Sequence, residues 1–299
     1  MGGEQSKPEP VTRTVYVEKP APPPPPMYDE PWRVLPWGNN ISGLNYVKDY
    51  QPQNDEVKFI RVLLYGPVGA GKSSFISSVS TVLRRRIATP AKASSTTSDQ
   101  SYTKKYKTHK IPKEGRGNFY PFVFNDIMGL EDGSGRGVSV EDIKLIMKGH
   151  VKDGYKFNPV SPLSPGDPHY NPSPSMEDRI HVLVCVQSAN AQEIQGSVLQ
   201  KLKDIREAAS DLDIPQIAVI TKIDEATEET ERDLRNVYKS KHVKKKMTDL
   251  SAFLGIPMNC IFPVKNYSEE TDLKDDLDTL ILSALKLILD LGDDFTCDM

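Results

Sequence analysis

From Lys58 onward, short continuous apolar runs alternate with stretches whose apolar residues recur at helical spacing. The runs Phe59–Tyr65, Tyr106–Ile111, Pro121–Asn125, Ile180–Val186, Gln216–Thr221 and Cys260–Val264 predict strands, several of them apolar throughout, as strands covered on both faces must be. Helices are predicted over Ser73–Arg85, Ser139–Lys148, Gly196–Ser210, Glu228–Lys239 and Asp272–Leu291, the second opened by a Ser139/Asp142 capping pair. The last carries Leu273, Leu277, Leu280, Ile281, Ala284, Leu285 and Ile288 on one face, a core stripe rather than a partner seam. Strands alternating with helices predict an α/β fold: a doubly wound, mostly parallel sheet with helices on both faces.

Two stretches break this rhythm. Ten of the 24 prolines precede residue 37, including the run Pro22 to Pro26. Residues 1–53 therefore read as a proline-rich, largely disordered tail, and 54–299 as the folded domain. The proline run is either a polyproline spacer or a ligand for an aromatic groove. Trp32 and Trp37 are expected to pack back onto the domain, with a short segment around Leu44 to Tyr50. Residues 152–177, polar and again proline-rich, read as an exposed insertion or lid.

Composition narrows the function classes. The 299 residues have room for one large α/β domain with appendages, and a net charge of −3 argues against nucleic acid as the partner. Three scattered cysteines without metal-ligand spacing suit a reducing, cytoplasmic compartment. No apolar run approaches the roughly 20 residues of a membrane-spanning helix, and no signal-peptide core opens the chain. Met1-Gly2-Gly3-Glu4-Gln5-Ser6 fits the N-myristoylation pattern, which would lipidate Gly2. One such chain gives only weak, reversible membrane contact.

The chemistry concentrates at strand ends. Gly66-Pro67-Val68-Gly69-Ala70-Gly71-Lys72-Ser73 follows the first strand and fits Gly-x4-Gly-Lys-Ser/Thr. Glycines let successive N–H groups of Val68, Gly69, Ala70, Gly71 and the helix start at Ser73-Ser74 face one anion, aided by the helix N-terminus. Lys72 would reach the β- and γ-phosphates, and Ser73 would offer its hydroxyl to Mg²⁺. Asp126 and Gly129, in Asn125-Asp126-Ile127-Met128-Gly129, would hold Mg²⁺ through water and sense the γ-phosphate. Thr221-Lys222-Ile223-Asp224 ends the fifth strand. The Asp224 carboxylate can accept guanine N1–H and the exocyclic amine, a donor pair that adenine lacks. Lys222 would lie along the base, and the loop Val264-Lys265-Asn266 would bring backbone N–H groups to guanine O6. Thr96 and Thr97 are both candidates for a switch threonine on Mg²⁺, and Thr97 is preferred.

With Pro31-Trp32-Arg33, Val57 to Leu64, Thr96-Thr97-Ser98, Tyr106-Lys107-Thr108 and Asp126 to Leu130, these motifs resemble the interferon-induced protein 44 and 44-like family, from about residue 30 to the end. The resemblance implies a GTP- and GDP-binding domain of a cytoplasmic protein in the interferon-induced antiviral, innate immune response. Protein partners or self-assembly are expected but not identified.

Hydrolysis is expected to be slow. The position after Gly129, where water-orienting glutamine usually sits, is Leu130, and Val68 would crowd an arginine finger. Arg116 and Arg136 flank the site as solvated loop residues or as arginines acting in cis. No catalytic residue is assigned. The sequence reading is a slow GTP-dependent switch, with an interaction scaffold as the alternative. An ATP-driven enzyme is disfavoured by Asp224.

Overall fold

In the computed structural model, residues 26–88, 104–133, 136–191 and 196–299 are described. The apolar runs become β1 (Ile60–Tyr65), β2 (Lys107–Pro112), β3 (Phe119–Asp126), β4 (Val182–Ser188), β5 (Gln216–Thr221) and β6 (Ile261–Pro263). They form one sheet in the order β2-β3-β1-β4-β5-β6. Only the β2–β3 pair is antiparallel; β1, β3, β4, β5 and β6 run parallel. The expected doubly wound sheet is thus what forms.

Helices α1 (Ile41–Asp49), α2 (Lys72–Arg84) and α7 (Asp275–Asp298) pack together on one face, and α3 (Val140–Met147), α4 (Gly196–Ser210) and α6 (Lys241–Leu254) on the other; α5 (Glu228–Arg232) is a single turn. Helix α7 crosses β1 and β4 so closely that a Cβ on Gly292 would lie 2.5 Å from Ile60 Cγ2 and 2.8 Å from Val182 Cγ2. On the same face Phe75 of α2 meets Phe124 edge-on, with ring centroids 6.1 Å apart.

Three expectations are revised, and one helix was not predicted. Residues 26–53, grouped with the tail by their prolines, are packed. Met27 bridges Ser240, Trp32 stands edge-on to Tyr238, and Trp37 and α1 lie against the core. The two tryptophans and the Leu44–Tyr50 segment carry this packing, as their hydrophobicity suggested.

Residues 152–177 are a strap rather than an open lid. The Tyr106 N–H donates to Tyr155 O (2.8 Å) and the Gly154 N–H to Tyr106 O (2.9 Å), along the chain entering β2. Tyr155, Phe157 and Leu163 are buried. The Leu163 N–H and the Tyr155 hydroxyl both donate to the buried Asp142 carboxylate, at 2.8 and 3.3 Å. Their irregular spacing hid these three anchors among the prolines.

Glu228–Lys239 is not one helix. The Asp233 side chain accepts the Arg235 N–H and starts a separate 3-10 turn over Leu234–Tyr238, a local bond that competes with helix continuation. Lys244–Lys246 lie inside α6, a helix that the apolar spacing did not predict. This helix is capped by Ser240, buries Val243, Met247, Leu250 and Leu254, and stops at Gly255 with φ 67. The lysine run masked its apolar stripe.

Candidate functional site

The sheet register assembles the site. Leu64 pairs with Asp126 across β1 and β3, and Ser188 with Thr221 across β4 and β5, so the loops leaving these strands converge at one edge. The first of them turns sharply at Gly66, whose φ is 144 and where a Cβ would lie 2.1 Å from Val186 O. No other residue fits that turn. Gly71, at φ 92, opens α2.

Lys72 is buried and donates to Gly66 O and Pro67 O, both at 3.0 Å. Burial pulls its pKa down to about 8, against the opposing pull of the Asp126 carboxylate. Ser73 Oγ donates to Asp126 Oδ2 at 2.6 Å. A hydroxyl and a carboxylate in contact at a helix N-terminus are the hard oxygen donors that suit Mg²⁺, which keeps several of its waters. Ser74 follows in the first turn, its carbonyl accepting Ser78 Oγ at 2.8 Å.

The Asp-x-x-Gly segment is zipped to this loop by main chain. The Leu130 N–H donates to Gly66 O (3.0 Å) and the Val68 N–H to Leu130 O (3.3 Å). Val68 packs directly on Gly129, where a Cβ would fall 2.6 Å from Val68 Cγ2 and 2.8 Å from Val68 N. Gly129 is therefore a steric requirement of Val68 as well as an amide at the site. Leu130 is buried, so the residue after the glycine faces core and offers no polar group. Arg116 and Arg136 are both exposed.

At the other end, Thr221 Oγ1 donates to Ala70 O at 2.6 Å and Asn266 Nδ2 to Gly71 O at 3.3 Å. These bonds tie the loops after β5 and β6 to the Gly66–Ser73 loop through carbonyls. Lys222 has φ 57, a strained conformation for a side-chain-bearing residue and a frequent mark of a functional site. Asp224 pairs with Lys265 at 3.4 Å, and Lys265 with Glu270 at 3.0 Å.

Thus Val68, Gly69, Ala70, Lys72, Ser73, Asp126 and Gly129 gather around the start of α2, and Thr221, Lys222, Asp224 and Lys265 lie on the loops after β5 and β6. Thr97, its neighbour Thr96, and Gly2 lie outside the described residues. Glu270 and Lys201 were missed by sequence reasoning, and of Asn266 only the backbone was foreseen. The Asn266 side chain and Glu270 follow β6 without a recognisable spacing. Lys201 of α4 donates to the carbonyls of Glu131 (2.8 Å), Gly133 (3.2 Å) and Arg136 (3.1 Å), holding the loop after Gly129. Only three-dimensional packing brings that lysine there.

No family model matches the chain. Human interferon-induced protein 44-like is 34% identical over 254 residues, 85% of this chain and 56% of the relative. Human interferon-induced protein 44 is 34% identical over 257 residues, 86% of this chain and 57% of the relative. The mouse interferon-induced protein 44 is 35% identical over 257 residues, 86% of this chain and 60% of the relative. The chain thus spans little more than half the length of these curated relatives. Among solved structures, Toc33 of Arabidopsis thaliana, as a dimerization-deficient mutant, aligns with TM-score 0.47 and 15% identity, covering 84% of this chain and 89% of that one. Toc33 in complex with GDP and Mg²⁺ aligns with TM-score 0.46 and the same identity and coverage. Over the matched 254 to 257 residues, the chain is similar to the interferon-induced protein 44 and 44-like proteins.

Proposed function

We propose that this chain is a guanine-nucleotide-binding protein that acts as a slow GTP-dependent switch in the interferon-induced antiviral, innate immune response. The observation that carries the reading is the pairing of two half-sites through one loop. Lys72, Ser73 and Asp126 would form the phosphate end and Asp224 and Lys265 the base end, with Thr221 and Asn266 bonded to the loop between them. Ser73 and Asp126 would hold Mg²⁺, with Thr97 as the switch ligand; the ion supplies charge neutralisation at the phosphates. Lys72 would exchange its two carbonyl partners for phosphate oxygens. Asp224 would accept both guanine donors.

The buried Leu130 side chain cannot orient water, which supports slow turnover. The scaffold alternative draws on one observation, the zipped Leu130–Gly66 contact, which would leave little to rearrange on loss of the γ-phosphate. Among the described residues no helix is long and apolar enough to cross a membrane. We read the protein as cytoplasmic, with weak reversible membrane contact through Gly2.

Measuring GTP and GDP affinities side by side, together with phosphate release, tests the switch. Different affinities with release slower than about one per minute are expected. Equal affinities would refute a switch, because a ligand that binds two states equally shifts no equilibrium.

A further inference from the structure

Lys265 sits between two carboxylates, 3.0 Å from Glu270 Oε1 and 3.4 Å from Asp224 Oδ2. The two are not equivalent. Glu270 is the nearer and the less exposed, 12% against 23% for Asp224. Its second oxygen accepts the Ser268 N–H at 2.9 Å, which fixes the carboxylate. Burial draws the Lys265 ammonium down, but the bond to Glu270 and the charge of Asp224 outweigh it, so its pKa lies above the ordinary lysine value. Lys265 is therefore a permanent cation beside the carboxylate assigned to base recognition.

That placement creates a competition. An ammonium with three donors and no other anion would bind Asp224 Oδ2 directly and take one of the oxygens that guanine needs. Two carboxylates around one ammonium ease the conflict: Lys265 lies nearer Glu270, at 3.0 Å against 3.4 Å, and the three groups together keep a net negative charge.

We propose that Glu270 is a specificity-determining positioning residue that shares the Lys265 ammonium with Asp224 and so weakens its hold on the Asp224 carboxylate, leaving that carboxylate able to read the guanine N1–H and exocyclic amine. The inference rests on the guanine reading of Asp224 given above. Glu270 touches no nucleotide itself; it acts through Lys265.

Calorimetric titration of nucleotide-free protein with Mg-GDP, Mg-IDP and Mg-XDP tests it. Inosine lacks the exocyclic amine, and xanthine replaces it with a carbonyl. Glu270→Gln is expected to weaken GDP roughly tenfold, the size of a coupling within one charge network, and IDP less, so the GDP/IDP ratio falls. Adding Lys265→Met to Glu270→Gln is expected to restore the ratio, a recovery that a merely structural role would not give and that also requires a folded protein. An unchanged ratio in Glu270→Gln would overturn the proposal, as would an equal loss of GDP and IDP without recovery in the double variant. Asp224→Asn separates this from the underlying reading. A switch of preference from GDP to XDP keeps the guanine assignment, whatever Glu270 does. Unaltered GDP binding by Asp224→Asn would remove the assignment and the proposal with it.

Discussion

Lys72 is held in a position that costs the folded chain energy, and replacing it should show how much. The amine is buried, and its pKa falls from 10.5 to about 8. At 1.36 kcal/mol per unit, keeping it charged at neutral pH costs about 3 kcal/mol. Lys72→Met keeps the length and removes the charge. Two N–H···O bonds are lost, but Gly66 O still accepts from Leu130 and Pro67 O from Ala70. The net expectation is a nucleotide-free protein more stable by about 1–3 kcal/mol at pH 7. The pH dependence follows from linkage. Between about 8 and 10.5 the unfolded lysine binds more protons than the folded one, so wild-type stability rises with pH across that window. The gap between wild type and variant should therefore narrow from pH 8 upward. Urea unfolding at pH 7, 8.5 and 10 measures it, and added Mg-GDP should raise the midpoint of wild type only. A variant less stable than wild type at pH 7, or a gap independent of pH, would mean that burial does not penalise the Lys72 charge.

Other consequences are expected in turn. Gly66→Ala puts a Cβ 2.1 Å from Val186 O; thermal shift by Mg-GDP should vanish in this variant, with stability lower by at least about 1–3 kcal/mol. Gly292→Ala drives a methyl into Ile60 and Val182, and a comparable loss should appear in the urea midpoint with nucleotide affinity unchanged. Asp142→Ala leaves the Leu163 N–H and Tyr155 hydroxyl without their buried acceptor; about 1–3 kcal/mol should be lost, and limited proteolysis should cut within residues 152–163 first. Because protonated Lys72 is the form that meets phosphate, Mg-GDP binding at pH 8.5–9 should take up protons, seen as a buffer-dependent heat in calorimetry.

Much of the fold was legible because buried parallel strands such as Ile60–Tyr65 and Val182–Ser188 must be largely apolar, and a helix such as α7 must repeat its apolar residues at a period of about 3.6. Of the candidate site, the Gly66 turn was legible because only glycine fits it, while the tasks read from Lys72, Ser73 and Asp224 belong to the proposed function. What stayed hidden depends on partners far apart in sequence. Tyr155 and Leu163 gain meaning only from Asp142, Lys201 only from three carbonyls across the loop after Gly129, and Glu270 only from Lys265. The α6 stripe was hidden differently, by charged residues that flank Val243 and Met247 and dominate the local composition.

In the proposed function, Asp224 and the Gly66–Ser73 loop together recognise a guanine nucleotide. Titrating Mg-GDP and then Mg-ADP into nucleotide-free protein, with heat as the readout, tests it most directly. Saturable one-to-one binding of GDP and none of ADP at the same concentrations is expected. Equal binding of both, or no heat from GDP, would contradict the account.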